Sequence, residues 1–426
     1  MKSDPESSNE PDNPAVTGDV IGDTAYSERF VLKILLKLAN LDSLKDEINE
    51  KSFEDDICTL WDMTVERDVV LFLLKHKVLS LFNFALPIIE SPRYIEIFVG
   101  IIGNMCCQKE AVKALLNMDS FLCLLLEYSK TDDSLILIQL LRFVSSSLPS
   151  TDSDDMLLWI NMFEKVSYSN TLYFILKNSS NKQLLVTALE NYNTICSYCN
   201  TQRFRVKYFE HFVTKDALAS LTTAFIELTS TQKDTFSKDE LERIIVISLQ
   251  MTLDLVSFDK PLELLDDCKE NVATIVKNVL KYYETKLVAD KEIDSDLIDL
   301  IDCINTITAL IPMSEDCGPE EWFYDCYNMW NALQSITKVN QNGDSNFEEA
   351  DKEEFQDFVK NMKPPLSVAM CMYMQKCSQE NLLKVLDKIG KEYDDILMSQ
   401  TDVDIKTAVS NRTADYRARI NENVDS

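Results

Sequence analysis

The chain has 426 residues, 46% of them hydrophobic, enough to bury a sizeable core. Lys and Arg number 42 against 71 Asp and Glu, a net charge of −29 that repels phosphate backbones and anionic bilayers alike. That balance argues against broad nucleic-acid binding and against a membrane partner. It favours a protein partner, above all a basic protein or peptide, besides keeping the chain soluble.

Residues 1–24 are rich in Ser, Pro, Asp, Glu and Asn with few bulky apolar groups, the composition of a disordered acidic tail. They carry neither the apolar centre of a secretory signal nor a basic amphipathic presequence, so the expected location is the nucleus and/or cytoplasm. Helical spacing begins in Phe30–Leu41. A second helix is expected from near Phe53, with Asp55 and Asp56 in its first turn and Thr64 capping the helix that follows. Val65, Val69, Phe72 and Leu73 then form one apolar stripe. The run Val69–Leu74 stops at Lys75, His76 and Lys77, far short of the roughly 20 apolar residues that a bilayer requires.

Pro87 and Pro92 bracket a helix junction. Beyond it, Ile95, Val99, Ile102 and Cys106 recur three or four apart and predict one buried face. Gly100 and Gly103 each cost such a helix about 1 kcal/mol of propensity. Their small size admits a closely packed neighbour, which makes sense in a stack of helices.

Comparable runs start near Asp132, Asn181, Leu241 and Asp296, at intervals from about 40 residues upward, against the 40–47 of armadillo and HEAT repeats. Ser237 and Glu240 have capping-box spacing at the head of one of them. A polar stretch at about 339–353 predicts an exposed loop, helices resume to residue 398, and residues 399–426 predict a flexible C-terminal tail. With only 7 Gly and 11 Pro and no sustained strand alternation, barrels, sandwiches and Rossmann folds are disfavoured. The expected fold is all-α, an armadillo/HEAT-like right-handed helical solenoid of degenerate repeats, one domain over residues 25–398.

Chemistry-bearing patterns are sparse. The twelve cysteines are scattered through apolar runs and read as small buried hydrophobes. Cys196 and Cys199 make a CxxC, but it follows a helical run and lacks the strand–helix setting of a redox site. His76 and His211 are the two histidines and lack clustered cysteines, so no metal site is expected. No phosphate-cradling glycine loop or nucleophile elbow is present, and no catalytic or cofactor-binding residue is assigned. Arg203, Arg205 and Lys207 form a local basic island, either a contact for acidic groups or a solvated face. Trp61 is a candidate interface anchor; Trp159, Trp322 and Trp330 are weighed against core packing, as is the aromatic-dense Glu321–Trp330.

The passage from Ile57 through Cys107 resembles the serum amyloid A-like 1 protein family of animals. The shared pattern falls on Leu60, Trp61, Asp62, Met63, Asp68, Val69, Leu71, Phe72 and Leu73. It continues on Pro92, Arg93, Glu96, Val99, Gly100, Ile101, Gly103, Asn104 and Met105. The resemblance implies an armadillo-like fold, no enzymatic activity, and association with the nucleus and with cell proliferation. It also directs attention to Asn104 and, in a less similar context, Asn193, because armadillo proteins use such asparagines to hold an extended peptide. A regular asparagine ladder is absent, so Asn104 has a second reading as a clip between helices. The expected function is a non-enzymatic adaptor or scaffold. The alternatives are a structural subunit of a constitutive complex and a thiol-dependent enzyme centred on Cys196 or Cys199.

Overall fold

The computed structural model describes residues 19–200, 203–257, 269–311, 319–341 and 349–424. Among them every regular element is helical and there is no strand, which establishes the expected all-α class. The chain divides into two compact units, 1–168 and 169–426, where the sequence predicts one domain.

The first unit opens with α1 (Glu28–Ala39), α2 (Leu41–Glu47) and α3 (Lys51–Met63). Then come α4 (Arg67–Lys75), α5 (Val78–Ala85) and α6 (Pro92–Met105), followed by α7 (Lys109–Leu116), α8 (Asp119–Glu127), α9 (Ser134–Ser147) and α10 (Met156–Val166). Packing follows a period of three: α3 lies on α6, α6 on α9, and α4 on α7. This ladder of third helices is the armadillo-like arrangement, with α6 sandwiched between two neighbours. Burial of α6 is accordingly almost continuous from Tyr94 to Gly103, beyond the single face its periodicity predicts.

Order begins earlier than the composition suggests. The Asp19 carboxylate accepts from the Ser27 hydroxyl at 2.8 Å and the Arg29 amide at 2.9 Å, and Ile21 is buried. Asp68 on α4 accepts from the Asp23 amide at 3.0 Å, and Gly22, at φ +53°, fits against the same carboxylate. Residues 19–24 therefore pack on the first unit and are not part of a disordered tail, while 1–18 lie outside the described residues. Thr64 also departs from expectation. It closes α3, its hydroxyl donating to the Trp61 carbonyl at 2.5 Å, whereas Glu66 precedes α4 without a side-chain cap bond.

The second unit contains α11 (Tyr168–Asn178), α12 (Lys182–Cys199), α13 (Arg205–Phe212), α14 (Lys215–Ile226) and α15 (Lys238–Val256). It continues with α16 (Lys269–Val288), α17 (Asp296–Leu310), α18 (Pro319–Gln341), α19 (Glu349–Lys376), α20 (Gln379–Ile389), α21 (Tyr393–Ser399) and α22 (Val403–Val424). One series runs α12, α15, α17, α19, each on the next; a second runs α14, α16, α18. The Ser237–Glu240 capping box forms at the start of α15 as its spacing predicts. Of the polar stretch at 339–353, residues 339–341 end α18 and 349–353 begin α19, and 342–348 lie outside the described residues.

Helix α19 runs through Pro364 and Pro365, where missing N–H groups would ordinarily end a helix. Neighbours hold it there: the Asn305 amide donates to the Pro365 carbonyl at 2.9 Å, and the Ser367 hydroxyl to the Ile396 carbonyl at 2.5 Å. The C-terminal segment is also folded, against the expected flexible tail from residue 399. Val409 and Thr413 of α22 are buried, and Arg412 donates to the carbonyls of Met374, Gln375 and Cys377 at 2.9, 2.6 and 2.7 Å. A single guanidinium thus satisfies carbonyls at the end of α19 that the helix leaves bare.

Candidate interaction sites

Trp61 and Asn104 meet in the first unit. The Trp61 ring lies over Gly100, where a Cβ would stand 2.1 Å from Trp61 Cζ2, so glycine is the residue that admits the indole. Gly103 faces α9, where a Cβ would be 3.4 Å from Phe143 Cα. Each glycine thus opens one side of α6 to a neighbour. One turn along, Asn104 Nδ2 donates to the Trp61 carbonyl at 3.3 Å and to Thr64 Oγ1 at 3.2 Å. Both amide protons are spent on the end of α3, which is the interhelical clip of its second reading. Its Oδ1 has no hydrogen-bond partner among the described residues.

Close by, Arg93 joins Glu54 of α3 at 3.0 Å and Glu96 of its own helix at 2.8 Å. Glu96 is buried, and the pair keeps its charge compensated. Leu60, Met63, Val69 and Leu73 are core residues. The motif residues from Leu60 to Met105 are therefore largely packing parts, α3 against α6 and α4 against the N-terminal segment.

The other candidates lie in the second unit. Asn193 on α12 is half-buried, and its amide side chain makes no hydrogen bond among the described residues. Arg203, Arg205 and Lys207 are exposed, yet they are not a free cationic patch. The Arg203 guanidinium sits 5.1 Å from the Phe204 ring centre, and Arg205 donates to the Ser257 carbonyl at 3.2 Å, tying the start of α13 to the end of α15. Trp159, Trp322 and Trp330 are buried; only Trp61 of the four is half-exposed.

Cys196 and Cys199 are buried on α12, and the Tyr208 hydroxyl donates to Cys196 Sγ at 2.8 Å. Burial pushes the Cys196 thiol well above its ordinary range and the Cys199 thiol up to about 12. At neutral pH both are protonated, and a thiol is not the nucleophile. Among the described residues, no three His, Cys, Asp or Glu side chains converge as a metal cluster would. Nor is any single described helix long and apolar enough to cross a membrane; α4 with Val78–Ile88 passes only as a pair bent by 71°.

Sequence reasoning missed the strongest electrostatic feature. Lys286 on α16 is 5% exposed, and its ammonium donates to Glu242 of α15 and to Asp294 at 2.6 Å each. Tyr282 donates to the same Glu242 at 3.0 Å. Although burial opposes its charge, the two carboxylates hold the ammonium well above its usual range. Its partners lie 44 and 8 residues away in a chain full of acids, so no local spacing announces them.

No protein-family model matches the chain. It is 30% identical to the Mus musculus protein SAAL1 over 181 residues, 40% of this chain and 38% of that protein. Similar matches are found with the Danio rerio protein saal1, 28% over 177 residues, and the Homo sapiens protein SAAL1, 28% over 181. The chain is SAAL1-like over this stretch. The match spans under two-fifths of each of these relatives' length, 37% to 38%. Among solved structures, a designed armadillo repeat protein in complex with the peptide (KR)4 aligns at TM-score 0.44 and 11% identity, over 66% of this chain and 98% of its own. An engineered protein aligns at 0.44 and 12%, over 65% and 97%.

Proposed function

We propose that this repeat scaffold is a non-enzymatic adaptor that binds a basic protein or peptide. The observation that carries the reading is the serial packing of helix on helix within each unit, which builds extended faces where an enzyme would gather polar groups around a cleft. Two further points support it. The CxxC thiols are buried and protonated, and the net charge of −29 attracts cationic partners. The free Oδ1 of Asn104 beside half-exposed Trp61 is the proposed contact in the first unit; in the second it is Asn193, with Arg203, Arg205 and Lys207 meeting acidic groups of the otherwise basic partner. The proposed location is the nucleus and/or cytoplasm, and the SAAL1-like stretch motivates a link to cell proliferation.

Affinity purification across a salt series tests the proposal. Recovery of a basic partner that falls steeply with ionic strength is the expected result, because exposed attractions are screened within about 10 Å at 0.1 M salt. Recovery of only acidic or neutral partners, unchanged by salt, overturns the electrostatic reading.

A further inference from the structure

Helix α1 carries two apolar stripes, and only one of them is covered. Val31, Ile34, Leu35 and Leu38 are buried, and α1 packs on α2, α3 and α5. On the opposite face, at about 100° per residue, Leu32 is half-buried and Leu36, one turn on, is 71% exposed. Arg29 and Lys33 run beside them at the same spacing of four. These side chains, with Lys37 and Glu47, line a shallow groove of about 480 Å³ between α1 and α2. An outer helix of a stack ordinarily shows solvent a polar face, and leucine rimmed by charge marks a contact surface.

The charge of the rim selects the occupant. Three cations and one carboxylate line the groove, in a chain of 42 bases and 71 acids. Lys37 and Glu47 are spent on each other at 2.5 Å. Arg29 and Lys33 are held far more loosely. Their ion-pair partners, Asp19 and Asp56, lie 3.9 and 3.7 Å away, and the two cationic side chains are 85% and 63% exposed. Asp19 already accepts from the Ser27 hydroxyl and the Arg29 amide. Such solvated pairs contribute little, so both cations are open to a further carboxylate. A second copy of the chain is a poor occupant, since it would set this basic groove against itself and one net charge of −29 against another. The same net charge disfavours an anionic bilayer.

We propose that this groove receives an acidic amphipathic helix of a partner protein. Leucine-type side chains of that helix, three or four apart, pack on Leu32 and Leu36, and acids on its flank meet Arg29 and Lys33. Residues 29–40 rise about 16 Å along α1, so about three turns of the partner fill the groove. This face shares no residue with the contacts assigned to a basic partner, and it stands whether or not that reading holds.

The test is fluorescence anisotropy with the full chain and a labelled three-turn helical peptide that bears leucines four apart and flanking glutamates. Its twin has glutamine in place of each glutamate. The acidic peptide should bind about tenfold more tightly than the twin, an advantage that shrinks as salt rises. Leu36→Ser, on the open face, should weaken both peptides about tenfold while the circular dichroism spectrum stays the same. Arg29→Gln with Lys33→Gln should erase the preference for glutamate. Failure of the acidic peptide to bind overturns the site, and so does unchanged affinity in Leu36→Ser. Equal binding of the twins overturns the acidic assignment. Competition by a free peptide of residues 1–18 would give the groove to the chain's own N-terminus. Self-association, or binding to phosphatidylserine vesicles, that is lost in Leu36→Ser would give it to a second copy or to a membrane, and each of these results overturns the proposal.

Discussion

The α3–α6 contact of the first unit and the α15–α16 contact of the second solve the same problem in opposite ways. In the first, glycine removes side-chain bulk so that an indole lies on the helix backbone, and short polar ties such as Asn104 finish the join. In the second, a buried lysine holds two carboxylates from different segments together. The first join depends on shape and tolerates almost no added volume. The second depends on charge balance and tolerates almost no lost partner. An apolar stack can thus be fixed in register by either means, but the two should fail under different changes.

The sharpest way to break the comparison is at the buried lysine. Lys286→Ala leaves Glu242 and Asp294 facing each other without their cation, and removing one partner of a buried pair typically costs about 3–5 kcal/mol. Urea unfolding should show a loss near the lower end of that range, because both carboxylates keep some solvent access. Lys286→Met with Glu242→Gln and Asp294→Asn should recover much of it. A single mutant as stable as the wild type would mean that the knot contributes nothing.

At the shape-determined join, Gly100→Ala drives a methyl into the Trp61 ring and should cost about 2–3 kcal/mol, the range for overfilled cores. Trp61→Ala in the same chain should relieve the clash, so the two losses should be clearly less than additive. Strict additivity would show that the indole does not sit on Gly100 in solution. Arg412→Ala gives a more local effect. It strips three carbonyls of their donor and should raise hydrogen exchange across residues 403–413 by an amount equivalent to about 2 kcal/mol, while exchange in the first unit stays the same.

The same contrast explains what was legible in the sequence. Gly100 and Gly103 stand out because glycines in an apolar helical run have few other uses, and Ser237 with Glu240 because both halves of the box lie three residues apart. Helix class and the recurrence of long apolar runs at intervals from about 40 residues upward are likewise written in local spacing. The polar locks are not. Arg412 reaches carbonyls 35 to 38 residues back, and Asn305 one that is 60 residues on. Among the described side chains of α22 only Val409 and Thr413 are fully covered, too few to impose an apolar period, so a docked helix has the composition of a tail. Arg205 has the sequence appearance of a free surface cation, yet the carbonyl it binds at Ser257 lies 52 residues away. For the candidate sites the same limit applies: residue types could be named, but whether a side chain was already spent on a neighbour could not.

Asp325 offers the gentlest test, and it separates burial of charge from pairing of charge within the second unit. Only 8% exposed on α18, its carboxyl is pushed up to about 6 by burial, with Glu284 and Glu321 adding to the rise and Lys281, 3.8 Å away, opposing it. The folded chain therefore binds this proton more tightly than the unfolded one, whose carboxyl keeps an ordinary value near 3.8. The stabilisation is fully present below that ordinary value and is lost as pH rises through about 6. Asp325→Asn removes the ionisation, so the variant should be more stable than the wild type at pH 7.5, by about 2–3 kcal/mol, a shift that already includes the attraction of Lys281. Below pH 4 the two should converge, because the wild-type carboxyl is then neutral in both states. Melting curves of the pair across that range subtract every other titrating group. A constant offset at all pH values would show that Asp325 ionises as freely in the folded chain as in the unfolded one, the attraction of Lys281 cancelling the burial.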